Sequence, residues 1–315
     1  MTREEMFAAL EPHIAQAVRQ QEGVYPRAPS DLSPAEVRAV FAQAKPPPLT
    51  RPDDLDVVEH VIALAGRTLP ARLYRPRDTA APAPCLVYFH GGGFTLGGLD
   101  GHDAICAMLA VRLRSAVLSV EYRKMPEHRF PAQYDDAFDA FVWVTAQAAP
   151  WGLDPARIAL GGDSSGANLA LAAALTLRAT PRAVRYLWLA YPIIGLDFET
   201  DSYRRNADAP ALTRARCRRI WNDYLDRNPE DADERAAPLL ASSLRHLPPT
   251  VVLTAEFDPL ECDGTILVER LRDDGGQVEH VRGPGLVHGY LKWFASSARA
   301  STAIDASIAI ATHWK

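Results

Sequence analysis

Apolar residues recur at helical spacing in the first part of the chain. Met6, Leu10, Ile14 and Val18 stand four residues apart, so a helix over residues 4–21 would carry an apolar stripe along one face. A stripe of this kind needs a partner surface. We therefore expect this segment to pack against the rest of the protein.

A second helix start is expected at Ser33, which is followed by Pro34 at the first helical position and by Glu36 three residues after the cap. The proline run at residues 46–48 then ends the helical part and predicts a stiff connector. The pattern separates residues 1–50 from the rest, as a unit of N-terminal cap helices.

From about residue 55, short apolar runs alternate with helical stretches. The runs at residues 57–64 and 69–74 predict an antiparallel pair of strands. Near-continuous apolar runs, which suit strands buried on both faces of a parallel sheet, follow at residues 85–89, 116–120, 158–160, 186–190 and 250–254. Helices are predicted between several of them, at residues 103–114 and 132–148. The alternation predicts an α/β fold with a mostly parallel central sheet flanked by helices.

A polar stretch interrupts this alternation between Leu196 and Leu247, with helical character at residues 213–227. Because it stands between two strands, we interpret residues 197–247 as an insertion in a catalytic domain that spans residues 51–315. The insertion and the N-terminal helices together are the natural material for a helical cap.

Composition and charge narrow the function classes. The 315 residues are 48% hydrophobic, and the net charge of −5 gives no basic surface for nucleic acid. The acidic N-terminus does not fit a signal peptide, and the most apolar window, residues 169–177, is far shorter than the ~20 residues of a membrane span. The cysteines lack metal-ligand spacing, so they are expected as buried free thiols in a cytoplasmic protein. They are Cys85, Cys106, Cys217 and Cys262.

A G-x-S-x-G pentapeptide occupies residues 162–166 and offers Ser164 as a nucleophile. An apolar strand at residues 158–160 precedes it and an apolar helix at residues 167–175 follows, which is the strand–turn–helix context of a nucleophile elbow. The flanking glycines permit the sharp turn, and Ser165 should contribute its backbone N–H rather than its side chain. A glycine–serine turn without chemistry is the alternative that this context disfavours.

A histidine and three glycines follow the strand at residues 85–89. A glycine triplet lets the backbone approach a substrate, and the N–H groups of Gly91, Gly92 and Gly93 could stabilise the oxyanion that forms in ester hydrolysis. A phosphate loop is the alternative, but no Gly-Lys-Ser/Thr or GxGxxG pattern accompanies the triplet. We expect His90 to anchor this loop rather than to act as the base.

Enzymes with such an elbow carry the acid, and then the histidine, in loops that follow later strands. Among nine histidines, His288 fits best, because it lies in a Gly/Pro loop after the strand at residues 278–281. His280, inside that strand, is the structural alternative. Asp258 lies just beyond the strand at residues 250–254 and would hold the histidine in the right tautomer. Three nearby acids stay open as alternatives: Glu256, Glu261 and Asp263.

Together, these motifs resemble the hormone-sensitive-lipase group of α/β-hydrolases, which includes bacterial acetyl esterases. The resemblance covers about residues 55–295. It rests on H-G-G-G-F from His90, E-Y-R at 121–123, P-E-H-R-F-P-A at 126–132, G-D-S-S-G at 162–166, A-A-P-L-L at 236–240, D-P-L from Asp258 and H-G-Y from His288. The departures are mild. S-G-A at 165–167 replaces the usual alanine and two glycines after the nucleophile, and E-C-D-G at 261–264 replaces the common R-D-E-G after D-P-L. Tyr290 stands where phenylalanine is commoner.

The resemblance implies a serine carboxylesterase that acts on short- to medium-chain esters, with a helical cap and a homodimer or larger assembly. Its implied triad is Ser164, Asp258 and His288. Its implied oxyanion hole is the Gly91–Gly93 loop, chiefly Gly92 and Gly93, with Ser165. No metal or organic cofactor is implied, and the only expected partner besides a second copy is a small ester. An amidase or deacetylase with the same triad stays open, as does a ligand-binding homologue without activity, although such receptors lack the catalytic histidine.

Overall fold

The computed structural model describes residues 1–43, 51–180, 183–226 and 232–315. Its strands are β1 (Leu55–Leu64), β2 (Arg67–Pro76), β3 (Ala83–Phe89), β4 (Ala116–Val120), β5 (Leu153–Asp163), β6 (Leu187–Ala190), β7 (Thr250–Phe257) and β8 (Val278–Val287). They form one sheet in the order β1-β2-β4-β3-β5-β6-β7-β8. β2 pairs antiparallel with β1 and β4, and the other neighbours pair parallel. The predicted mostly parallel sheet is confirmed.

Helices cover both faces of this sheet. The helices of the described residues are α1 (Arg3–Ala9), α2 (Pro12–Gly23), α3 (Pro34–Gln43), α4 (Asp103–Leu113), α5 (Ala132–Gln147), α6 (Ser165–Leu177), α7 (Asp201–Arg205), α8 (Arg214–Tyr224), α9 (Glu261–Asp273) and α10 (Ala298–Thr312). Those on the two faces are α4, α5, α6, α9 and α10. Successive side chains of a strand point to opposite faces. On β3, Val87 therefore joins the core under α5, α6 and α9, whereas Leu86 joins the core under α4 and α10. Because both faces are covered, the central strands β3, β4 and β6 read as apolar runs.

The expected helix over residues 4–21 is two helices. α1 ends before Leu10, whose N–H returns to Phe7, and Pro12 begins α2 at a position where its missing N–H costs nothing. The apolar stripe is nevertheless buried as a whole. Its four residues pack against the ends of β7 and β8, in a cluster that includes Met6, Leu10, Ile14, Val18, Phe257 and Val287.

Two local helix signals are confirmed. Ser33 Oγ accepts the N–H of Glu36, and the Glu36 carboxylate accepts the N–H of Ser33 in return, which is the reciprocal pattern of a capping box. In the insertion, α8 begins after Thr213, whose hydroxyl accepts the N–H of Arg216. The proline run at residues 46–48 lies outside the described residues.

The described part of the chain contains no helix that is long and apolar enough to cross a membrane. Its cysteines carry free thiols. Three of them are buried, as expected, whereas Cys262 is only partly buried.

Candidate active site

Ser164 occupies the turn between β5 and α6 with φ of +54°, a backbone conformation that non-glycine residues rarely adopt. The glycines on both sides are required by space. A Cβ on Gly162 would lie 2.4 Å from the carbonyl oxygen of Phe89, and a Cβ on Gly166 would lie 1.9 Å from it. The elbow can therefore form only because the sequence removes two side chains next to the serine.

A continuous hydrogen-bond chain joins the three residues of the expected triad. His288 Nε2 lies 2.9 Å from Ser164 Oγ, and His288 Nδ1 lies 2.7 Å from Asp258 Oδ2. The other carboxylate oxygen, Oδ1, accepts the N–H of Leu260 at 2.9 Å. Asp258 is fully buried, and the Tyr191 ring packs edge-on against the imidazole with 4.8 Å between ring centres. When His288 is neutral and its Nδ1–H donates to the carboxylate, Nε2 carries a lone pair that faces the hydroxyl of Ser164.

Two of the three alternative acids are occupied elsewhere. Glu256 Oε2 accepts the N–H of Gly285 at 2.6 Å, and Glu261 forms an ion pair with Arg205 at 2.9 Å. Neither contacts the imidazole of His288. The structure therefore brings Asp258, and not these neighbours, to the histidine.

The third alternative acid, Asp263, supports the loop that follows β6. Its Oδ2 accepts the N–H groups of Ile194 and Gly195 at 3.0 and 2.9 Å. Burial raises the pKa of Asp263 to about 7, against the lowering effect of these two bonds. From sequence, Asp263 was only a candidate acid. Its contact with a loop almost 70 residues away could not be read from the sequence.

Two other histidines have structural environments. His280 Nε2 lies 3.0 Å from Thr254 Oγ1, inside the β7–β8 pair. His90 is buried, stacks on Tyr122 with 4.3 Å between ring centres, and places Nδ1 2.9 Å from the carbonyl oxygen of Gly91. Burial lowers the pKa of His90 to about 3, so the ring stays neutral and anchors the glycine loop.

One expected oxyanion donor is corrected. The N–H of Gly91 donates to Asp163 Oδ1 at 2.8 Å, so it is not free to meet a substrate. In the described structure, no acceptor contacts the N–H groups of Gly92, Gly93 or Ser165. Sequence spacing could not separate the first glycine from the other two, because the acceptor comes from a neighbouring strand.

Asp163, the residue before Ser164, holds parts of the site together, and the sequence did not single it out. Its carboxylate accepts the Tyr88 hydroxyl at 2.7 Å and the N–H of Gly91, and it lies 3.3 Å from His102 Nε2. Burial alone would raise the pKa of Asp163, but the charge and hydrogen bond of His102, with the Tyr88 and Gly91 bonds, lower it to about 2. One buried carboxylate thus ties the glycine loop directly to the elbow.

A cavity of about 860 Å³ opens above the serine. Its floor includes Ser164 and His288. Its wall includes Val18 and Gln21 of α2 and Ile220 of α8. Ligand cavities commonly measure 300–1,000 Å³. The described residues contain no group of three or more His, Cys, Asp or Glu side chains that could hold a metal ion.

An elbow serine that is hydrogen-bonded to a histidine and an aspartate, on a mostly parallel sheet, defines the class of serine hydrolases with this architecture. The chain belongs to the α/β-hydrolase family, because the family model described as alpha/beta hydrolase fold matches residues 86–292. It is 38% identical to carboxylesterase NlhH of Mycobacterium tuberculosis over 264 residues, which are 81% of this chain and 82% of that protein. It is 36% identical to an ethyl acetate hydrolase of Pseudomonas putida, over 72% of this chain and 73% of that protein.

A solved structure is similar over nearly the whole length. The thermostable esterase of Pseudomonas putida ECU1011 superposes with a TM-score of 0.89 at 30% identity, over 97% of this chain and 98% of that one. The fold, the family and the esterase relatives agree, and the chain is a serine ester hydrolase.

Proposed function

We propose that Ser164 is the nucleophile, His288 the general base and Asp258 the orienting acid in the hydrolysis of small carboxylic esters. The observation that carries the proposal is the unbroken hydrogen-bond chain from Asp258 through His288 to Ser164. The N–H groups of Gly92, Gly93 and Ser165 are the proposed oxyanion donors, because Gly92 and Gly93 line the cavity together with Ser164, and Ser165 directly follows that serine.

The reaction then proceeds in two halves. Ser164 Oγ attacks the carbonyl carbon while His288 Nε2 takes the hydroxyl proton, and the oxyanion is held by the backbone donors. Collapse of the intermediate breaks the ester bond, and His288 returns the proton to the departing alcohol. Water attacks the resulting acyl-serine in the same manner, which releases the carboxylic acid and restores the serine.

Covalent labelling tests the nucleophile. A fluorophosphonate should modify a single residue, and peptide mass spectrometry should locate the adduct on Ser164. An adduct on Ser165 would move the nucleophile by one residue, and no adduct in an active protein would overturn the mechanism. Parallel rates on 4-nitrophenyl acetate and on its anilide counterpart decide between an esterase and an amidase.

We further propose that α1–α3, within residues 1–50, and α8, within residues 197–247, act as the cap of a catalytic domain spanning residues 51–315. Support comes from the cavity wall, to which α2 and α8 contribute Val18 and Ile220. An enclosed pocket favours short to medium acyl chains, about C2–C8, over long ones. A 4-nitrophenyl ester series from C2 to C16 should peak in that range. Removal of residues 1–45 should change this profile, and an unchanged profile in a folded truncated protein would contradict the cap.

A homodimer formed through a sheet edge, in the cytoplasm, is the proposed assembly and location. The sheet ends at β1 on one side and at β8 on the other, and an edge strand offers unpaired backbone groups to a second copy. Light scattering at micromolar concentration should give twice the mass of one chain, and a monomer would remove the proposal.

A further inference from the structure

Two cationic side chains line the catalytic cavity without a carboxylate partner. Arg216 lies on α8, and Lys292 lies four residues after His288. Both side chains line the cavity that contains Ser164. Among the described residues, neither cation forms an ion pair with an acid. An uncompensated cation next to a substrate cavity is a site for an anionic group of the substrate.

The other cations of the cavity wall are neutralised by acids. Arg3 pairs with Glu22 at 2.7 Å, and Arg27 pairs with Glu36 at 2.7 Å. These four residues therefore add little net charge to the cavity.

Two further acids line the wall, Asp163 and Asp208. Asp163 contacts Tyr88, Gly91 and His102, and its charge favours the protonated form of Lys292 without an ion pair between them. Among the described residues, Asp208 forms no ion pair with Arg216 or Lys292. Both cations can therefore still pair with an anionic group in the cavity.

Arg216 is held in place by a neutral contact. Its Nη1 donates to the carbonyl oxygen of Pro29 at 2.9 Å, which orients the guanidinium but leaves its charge uncompensated. Burial lowers the pKa of Arg216, although Tyr25 and Asp223 act in the opposite direction. The remaining N–H groups of the planar fork match the two oxygens of a carboxylate.

Lys292 is oriented by a neutral contact as well. Its Nζ donates to Gln21 Oε1 of α2 at 2.6 Å. Its side chain is open to solvent, yet the surrounding protein desolvates the ammonium and lowers the pKa of Lys292 to about 8, against the charge of Asp163. At pH 7 the side chain is therefore mainly protonated and carries its charge.

We propose that the preferred substrates of this esterase are small esters that carry a free carboxylate remote from the scissile carbonyl, held by Arg216 and Lys292. The inference rests on the proposed function, because it adds a second recognition element to the same cavity. In the productive complex, Ser164 and the backbone donors bind the reacting carbonyl, while the two cations bind the distant carboxylate. Each charge-assisted hydrogen bond formed in the desolvated cavity should favour the anionic ester.

Matched pairs of substrates test the proposal on the unmodified enzyme at pH 7. Mono-4-nitrophenyl adipate and its methyl ester compare a charged with a neutral acyl chain. 3-(4-Acetoxyphenyl)propionate and its methyl ester compare a charged with a neutral alcohol, with methylene groups that insulate the leaving group from the carboxylate. The expected result is a kcat/KM at least about ten-fold higher for the anionic member of one pair, decreasing from 20 mM to 500 mM NaCl.

Substitutions then assign the preference to residues. Arg216→Gln and Lys292→Gln should each reduce the anionic-to-neutral ratio of kcat/KM by about ten-fold, and Arg216→Lys should restore part of it. Arg219→Gln is the matched control. Arg219 lies on the same helix and contacts the adjacent carbonyl of Ser30, but it pairs with Asp223 and lies outside the cavity wall, so the ratio should not change.

The outcomes separate this inference from the proposed function. Hydrolysis of the neutral esters with equal or higher kcat/KM than the anionic ones would overturn the carboxylate site and leave the esterase intact. Failure to hydrolyse any of the four esters would overturn the proposed function itself. The ratio and its salt dependence are measured on the unmodified enzyme. They therefore test the proposal even if one of the variants does not fold.

Discussion

The elbow and the proposed cap line the same cavity but are held in place in different ways. The elbow, residues 162–166, is fixed by backbone atoms in contact, with no room for a Cβ at Gly162 or Gly166. The helices proposed as the cap, α1–α3 and α8, are held by side-chain contacts, such as the Arg3–Glu22 ion pair between α1 and α2. We therefore expect substitutions in the elbow to disturb the reaction itself, and single substitutions in the proposed cap to change which esters are preferred.

The largest effect is expected where the elbow meets the histidine. Ser164→Ala and His288→Ala should each lower kcat/KM by about 10⁴-fold or more, since each removes a part of the nucleophilic step, and Asp258→Asn should be the mildest of the three. The measurement is steady-state hydrolysis of 4-nitrophenyl acetate, with thermal unfolding as the control for folding. Near-normal turnover by the alanine variant of Ser164 would refute the assignment.

Two glycines, one from each region, sharpen the comparison. Gly166→Ala should cost about 3 kcal/mol or more of unfolding free energy, because the new methyl group would overlap the Phe89 carbonyl. Gly23→Ala, at the end of α2, meets nothing within 4 Å and should be neutral or stabilising by up to about 1 kcal/mol. Urea unfolding of both variants measures this difference. Similar unfolding free energies for the two variants would mean that the elbow accommodates a new side chain as easily as the end of α2 does.

A cap side chain should change selectivity more than rate. Ile220 of α8 lines the cavity and packs next to Gly93 of the glycine loop. A Cβ added to Gly93 would lie 3.0 Å from Ile220 Cδ1. Ile220→Ala should move the preferred acyl length upward by a few carbons, with a change in kcat/KM on the acetate of only a few-fold, since it enlarges the pocket without touching the triad. An acyl-chain series on the variant, beside Ile220→Val, provides the measurement. Loss of all activity at every length would place Ile220 with the elbow instead.

A further expected effect concerns the pH dependence of stability. Burial raises the folded-state pKa of Asp263 from 3.8 to about 7, so folding favours its protonated form. This contribution to stability is complete below pH 4 and is lost as the pH rises toward 7. Asp263→Asn, which keeps an oxygen for the two N–H groups, should therefore gain stability relative to the unmodified protein between pH 4 and pH 7.

A surface aspartate provides the control for that measurement. Asp305 pairs with Arg112 at the surface, and its Asn variant should show no such trend. Denaturant unfolding at several pH values distinguishes the two variants. Parallel stability curves for Asp263→Asn and the unmodified protein would contradict a raised pKa at this carboxyl.

The sequence predicted most of the sheet, because buried parallel strands leave near-continuous apolar runs. It predicted the meeting of Ser164, Asp258 and His288, because strand ends of a parallel sheet converge at one edge. The split of residues 4–21 into α1 and α2 was missed, since Pro12 does not interrupt the four-residue spacing of the stripe. The engagement of Gly91 by Asp163 was missed because it depends on β3 lying beside β5, which no local pattern encodes.

The bond between Asp163 and the N–H of Gly91 has a consequence for divergence within the family. The turn that holds Ser164 and the glycine loop are joined by the Asp163 carboxylate, so we expect a change in either one to disturb the other. Selection for new substrates would then accumulate substitutions in α2 and α8, because side chains there can change without moving the residues that break the ester bond. Laboratory evolution of this protein should follow the same route, with cap segments exchanged between relatives while the anchored pair is inherited intact.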